Sequence, residues 1–319
     1  MSRRAWLPAL LMGWACGSDD PEGGRSPSNT PPTDGEAPSP YIAPEADAPE
    51  PTADLGEVAA AAQAALDGVR AFNGRPVQAA YDAAMVGQEG ACPDYYANDY
   101  GTYWYDACTS SLGTTFSGYA FAYFEEDYYD PSYDITYSYW QVYGGGTVED
   151  ATSLLELSGS ALWLEGVTSD GLAQLFQSSV SGTFSYDGDA SAGTWLAGDG
   201  GDPDLFLYAT TYPTFDAKYL YIDGGYSGFG EVGWAASFAD LELSNAGTGT
   251  TCPEEPGGSM AIRAGDGGWY DLIFHGATSY TVADEAECDG CANVFFEGAA
   301  IGQACIDVTS ALGWDGVPW

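Results

Sequence analysis

The sequence predicts a mainly β protein: an antiparallel meander or sandwich-like β body, with a short N-terminal helical hairpin packed on it and a disordered tether in front. Three observations carry that reading. Period-two alternation recurs from about Cys92 onward, as in Tyr133, Ile135, Tyr137 and Tyr139 against Asp134, Thr136, Ser138 and Trp140, which is the repeat of a pleated strand. Gly- and Asp-rich clusters separate the strand candidates at hairpin-like intervals. No later stretch matches the helical periodicity near the N-terminus, so antiparallel connections are favoured over crossovers through helices.

The chain has 319 residues, 45% of them hydrophobic, enough for one large core or two small ones. It carries 47 acidic side chains against seven Lys plus Arg, a net charge of −40. Charge-driven binding to nucleic acid or anionic lipid needs a basic patch and is excluded. A single histidine excludes His-rich metal sites.

Residues 1–15 read as a signal peptide, with Arg3 and Arg4 followed by an apolar run too short to anchor in a bilayer. Cys16 follows the small residue Ala15 and precedes an acidic, Pro-rich segment. This arrangement resembles the lipobox of bacterial lipoproteins, which implies that Cys16 is acylated and begins the mature chain. Ordinary cleavage near Gly17 is the alternative. Residues 16–53 form the tether: nine of the chain's 18 prolines lie there with a single aromatic, Tyr41, too little apolar surface to offset chain entropy.

Residues 54–90 form the helical hairpin. Leu55, Val58, Ala62, Ala65, Leu66, Val69 and Phe72 recur at spacings of three and four, one apolar stripe. Asp54 and Glu57 read as a capping box, Asn73-Gly74 as a stop, and Pro76 as the opening of a second helix with Val77, Ala80, Tyr81 and Ala84 inward. The rest, 91–319, is the β-rich domain. Beyond the strand around Tyr137 and one through Val232, Trp234, Ala236 and Phe238, candidates lie at 116–124, 154–164, 180–186, 205–209, 219–222, 260–263, 270–274 and 294–296. Two nine-residue stretches, 197–205 and 264–272, share seven places around Gly-Asp-Gly-Gly, and an apolar-Ser-Gly pattern ends at Gly118, Gly159, Gly182 and Gly228.

Seven cysteines is an odd number, and assigning Cys16 to a lipid leaves six: Cys92, Cys108, Cys252, Cys288, Cys291 and Cys305. Six can form three disulfides in an oxidising compartment. Cys92 and Cys108 enclose fifteen residues, and a bridge there contributes about 3 kcal/mol on the loop-entropy model. Cys291 and Cys305 flank an expected hairpin turning at Glu297-Gly298-Ala299, leaving Cys252 with Cys288. A redox-active Cys288-Asp289-Gly290-Cys291 and a zinc site on the last four cysteines are the competing readings.

No cofactor is expected. Asp199, Asp202 and Asp204, in a Gly/Pro loop, are the weak candidates for calcium. The 46 aromatic residues are expected mainly in the core, since Tyr and Trp favour strands and supply buried area. His275 reads as a half-exposed structural residue, and no catalytic residue is selected by any nucleophile, metalloprotease or phosphate-loop motif. The end of the chain, Asp315-Gly316-Val317-Pro318-Trp319, breaks the alternation that a closing outer-membrane barrel strand requires.

Ala15-Cys16-Gly17-Ser18-Asp19-Asp20 with its tether, and Cys288-Asp289-Gly290-Cys291 with Gly302-Gln303-Ala304-Cys305, resemble the Gly-, Asp- and Tyr-rich lipoproteins of myxobacterial type. That resemblance implies an envelope location and brings no activity or catalytic residues. The expected function is a lipid-anchored cell-envelope protein, outer-membrane or extracellular, without enzymatic activity and with a structural or adhesive role. Its expected partners are the membrane, through the N-terminal lipid, and a surface glycan or protein, with nucleic acid excluded. The alternatives are a carbohydrate-binding surface module and a secreted hydrolase using two carboxylates about 5–10 Å apart.

Overall fold

The computed structural model describes residues 50–69, 74–98, 101–105, 107–188, 193–197, 204–215, 217–229, 234–244, 255–263, 268–278 and 289–308. The signal segment, Cys16, the tether up to residue 49, Phe72, Asn73 and Val232 lie outside them. Two helices come first, α1 (Leu55–Gly68) and α2 (Gly74–Ala84), closed by a 3-10 turn at Met85–Gly87. Short strands follow: β1 (Asp94–Asn98), β2 (Gly101–Tyr105) and β3 (Cys108–Thr109). Four long ones come next, β4 (Thr115–Asp130), β5 (Ile135–Glu149), β6 (Leu154–Thr168) and β7 (Gln174–Asp187). After β8 (Gly193–Ala197) and β9 (Asp204–Tyr212) come β10 (Ala217–Phe229) and β11 (Trp234–Ser244). The last four are β12 (Gly257–Arg263), β13 (Trp269–Ile273), β14 (Cys291–Phe296) and β15 (Ala299–Cys305).

Among the described residues the strands form one 15-stranded antiparallel sheet in near-sequential order, so the chain is a meander. The layer that faces this sheet is the helical pair, not a second sheet. One row of opposed residues shows how the core is built: Ala122, Val142, Ala161, Val180 and Leu205 run across β4, β5, β6, β7 and β9. The row continues through Gly224, Phe238, Met260, Leu272 and Val294 on β10 to β14. Val180, Leu205, Met260, Leu272 and Val294 are fully buried. Directly opposed positions share a face, so this row lies on one side of the sheet, the side on which the helices pack.

Three glycines of the apolar-Ser-Gly pattern, Gly118, Gly159 and Gly182, take positive φ where neighbouring strands approach closely. Gly159 and Gly182 oppose each other across β6 and β7, with φ of +152° and +78°. A Cβ at Gly159 would sit 2.0 Å from the Ser181 carbonyl oxygen, and one at Gly182 would sit 2.1 Å from that of Ser158. Only glycine allows both the dihedral and the approach. Apart from Gly268, both copies of Gly-Asp-Gly-Gly lie outside the described residues; β8 and β9, on either side of the first, share the slot between β7 and β10, while β12 and β13, on either side of the second, are direct neighbours.

The helices are tied down by specific side chains. Asp54 caps α1, accepting from the Glu57 N–H at 2.9 Å, while Glu57 accepts from the Asp54 N–H at 3.0 Å, the reciprocal capping pair. Val58, Ala62, Ala65 and Leu66 bury the inner stripe of α1, which lies on β10, β11, β12 and β15. Helix α2 lies on β5, β6 and β7 through Val77, Ala80, Tyr81 and Ala84. The Trp104 Nε1–H donates to the Tyr81 hydroxyl at 3.1 Å, the Trp163 Nε1–H to Gln78 Oε1 at 2.8 Å, and the Tyr226 hydroxyl to the Ala65 carbonyl. The Tyr270 hydroxyl accepts from the N–H groups of Thr52 and Ala53 at 2.8 and 2.7 Å, fixing the point where the tether enters the body.

One helix boundary departs from the sequence reading. Gly74, expected to stop the first helix with Asn73, opens the second. Its N–H donates to Ser178 Oγ at 2.9 Å, and an added Cβ would lie 2.5 Å from the Leu162 carbonyl oxygen. The glycine is there to let the helix start touch β6. Among the described residues no helix is long and apolar enough to cross a membrane.

Candidate functional site

Alternation assigns the two sides of the sheet. Phe116, Ala120, Trp140, Val142, Ala161 and Trp163 turn toward the helices and are buried; the residues between them point the other way. On that outer side Tyr96, Tyr103, Phe121 and Tyr143 stand opposite one another across β1, β2, β4 and β5. The neighbouring row is Tyr105, Tyr119 and Gly145. Tyr96, Tyr105, Tyr119 and Tyr143 remain 59%, 50%, 53% and 42% exposed.

The centre of this cluster is packed and its rim is wet. Phe121 is buried, with its ring centroid 4.5 Å from that of Tyr103 and 4.9 Å from that of Tyr143. Tyr119 leans over Gly145, where a Cβ would meet the ring at 3.5 Å. Partial burial, and then the nearby Tyr103 and Tyr119 hydroxyls, push the Tyr143 phenol above its ordinary value. The Tyr103 and Tyr143 rings therefore flank the Phe121 ring. The expectation that the aromatics serve the core holds for Trp104, Trp140 and Trp163 and fails for these tyrosines. A buried indole has one N–H to satisfy and brings a large apolar area, whereas a phenol on an outer face keeps its hydroxyl in water.

The cluster sits on a stapled support. Cys92 and Cys108 are bonded, with S–S 2.04 Å and Cα–Cα 5.8 Å, closing the loop that carries β1 and β2. Beside the tyrosines lies a shallow depression of about 320 Å³, lined by Gly146, Thr147, Glu156, Leu157, Ser158 and Thr183. Ser158 and Thr183 continue the row of Tyr119 and Gly145, so depression and rings share one surface. Glu156 accepts from Ser185 Oγ at 2.9 Å and is the depression's one carboxylate.

The remaining sequence candidates fall elsewhere. Cys291 is bonded to Cys305 across the β14–β15 hairpin, which turns at Glu297 and Gly298, both at positive φ, the backbone of a tight two-residue hairpin turn. Cys291 is therefore not paired with Cys288; Cys252 and Cys288 lie outside the described residues. So do Asp199 and Asp202, while Asp204 opens β9 and accepts from Ser179 Oγ at 3.2 Å. Among the described residues no group of three His, Cys, Asp or Glu side chains is placed to hold a metal.

One residue was not singled out from sequence. Glu255 is buried, and its carboxylate accepts from the N–H groups of His275 at 2.6 Å, Asp289 at 3.1 Å and Gly290 at 3.2 Å. His275 is half-buried, and its Nε2 lies 2.9 Å from Asn293 Nδ2. Backbone partners at least 20 residues away leave no sequence pattern that could have marked Glu255.

Two disulfides in one body mark an oxidising, non-cytoplasmic compartment. Comparison with known protein families, with curated proteins and with solved structures finds no match.

Proposed function

We propose that this chain is a lipid-anchored cell-envelope protein whose β body makes adhesive contacts at the cell surface. The observation that carries the reading is the set of four exposed tyrosines on one stapled sheet face. A contiguous aromatic patch in water marks an interaction surface. The position of the anchor supports it. The tether enters the body at Tyr270 on β13, and the tyrosines lie on β1, β2, β4 and β5, near the other end of the strand order. A lipid at Cys16 would hold one end of the sheet and leave the other free to meet a partner.

Labelling cells with a palmitate analogue tests the anchor. The wild-type chain is expected to take up label and to fractionate with membranes, and Cys16→Ser is expected to lose both. Label that persists in Cys16→Ser, or an unlabelled and soluble wild-type chain, would contradict the reading. Carbohydrate binding is the form of contact that the depression beside the rings favours.

A further inference from the structure

We propose that the outer face of β2, β4 and β5 binds a polysaccharide of amino sugars with free amines, a proposal that rests on reading the body as an adhesive module. The rings of Tyr105, Tyr119 and Tyr143 offer flat apolar faces to the C–H side of a pyranose, and all three are at least 42% exposed. Adjacent strands are about 4.8 Å apart, a spacing comparable to the length of one sugar ring, so a chain lying across the strands meets successive rings. Glu156, Ser158 and Thr183 line the depression at the end of that path and supply hydrogen-bonding groups for sugar hydroxyls and amines.

Charge selects among occupants. The described cations are Arg75 on α2, Lys218 on β10 and Arg263 on β12, so none lies on this face. Asp94 and Glu149 are exposed at its border and Glu156 lies in the depression. A polyanion is repelled, and a second copy of a chain with net charge −40 is repelled as well. An ammonium group is attracted twice, by the carboxylates and by the aromatic faces. The rings separate a sugar from a basic peptide: a peptide held by charge alone does not need them.

The test is titration calorimetry of the full-length mature chain with a fully de-N-acetylated glucosamine hexamer. Binding is expected, weakening as salt rises. Tyr119→Ala and Tyr143→Ala leave the net charge unchanged and are each expected to lower affinity about tenfold. Tyr133→Ala removes a tyrosine that is 45% exposed in the turn before β5 and is expected to bind like the wild type. Thermal unfolding of each variant confirms that the fold is retained. The proposal is overturned if the hexamer does not bind, or if its N-acetylated form or cellohexaose binds as tightly. It is also overturned if the tyrosine variants bind the hexamer as the wild type does, in the manner of an oligolysine control. The assay does not depend on the lipid: failed binding with intact palmitate labelling removes this inference alone, and the reverse result removes only the anchor.

Discussion

The long-strand and short-strand regions of the sheet are stabilised by different means. Strands β4 to β7 have 14 to 16 residues and pair along nearly their whole length. Strands β12 to β15 have five to seven and lean on cross-links: the Cys291–Cys305 bond, Glu255 gathering three N–H groups, and Gln63 clasping the main chain of Asp307 from α1. The other short edge, β1 to β3, carries the other described disulfide. Where a ladder is long, backbone pairing holds the register and glycine allows neighbouring strands to approach closely. Where it is short, side chains must hold what the ladder cannot.

That comparison is most easily broken in the long half. Gly182→Val combines left-handed strain with a clash against the Ser158 carbonyl, and a cost of about 3–5 kcal/mol is expected in urea unfolding. Gly145→Ala on the outer face meets only the Tyr119 ring and is expected to stay within about 0.5 kcal/mol of wild type. Equal effects from the two would show that the positive-φ close approach at Gly182 is not what makes the long half sensitive.

In the short half, Cys291→Ser with Cys305→Ser is expected to cost about 3 kcal/mol. The comparison sharpens if hydrogen exchange quickens in β13 to β15 while β5 and β6 stay protected. Uniform loss of protection would mean that the two halves unfold as one. Glu255→Gln removes the charge behind three hydrogen bonds and is expected to cost about 2 kcal/mol, with quickened exchange at the His275, Asp289 and Gly290 amides.

The smallest effect concerns the tyrosines buried between the helices and the sheet. Burial pushes the Tyr81 phenol up to about 12 and raises that of Tyr226, against an ordinary value of 10.0. Above pH 10 the unfolded phenols lose protons that the folded ones keep, so the unfolded state binds fewer protons and stability falls as pH rises. The slope is about 1.4 kcal/mol per pH unit per group until the folded phenol also ionises. Tyr226→Phe is expected to cost about 1 kcal/mol at neutral pH, from the lost bond to Ala65, and to narrow that gap by pH 11. A gap that widens with pH would reverse the sign and refute the assignment.

Much of this architecture was legible in the chain. Alternation located the strands, and the Asp54–Glu57 capping pair set the helix start. Hairpin spacing paired Cys291 with Cys305, because such signals are local and each has a single physical solution. The face was not legible: alternation divides Tyr143 from Val142 without saying which side the helices cover. Nor was the role of Gly159 and Gly182, since the apolar-Ser-Gly pattern becomes a close backbone approach only when two such glycines meet across a register that the sequence does not write down. The same limit hid Gly74, whose neighbour Leu162 is far along the chain.

Lactoperoxidase iodination of intact cells, followed by peptide mapping, tests the central claim directly, because the enzyme reaches only tyrosines facing the medium. Label is expected at Tyr96, Tyr105, Tyr119 and Tyr143 and absent from Tyr226 and Tyr270, which are fully buried. Label confined to Tyr226 and Tyr270, or appearing at the four outer tyrosines only after the cells are broken, would contradict an outward aromatic face on an anchored body.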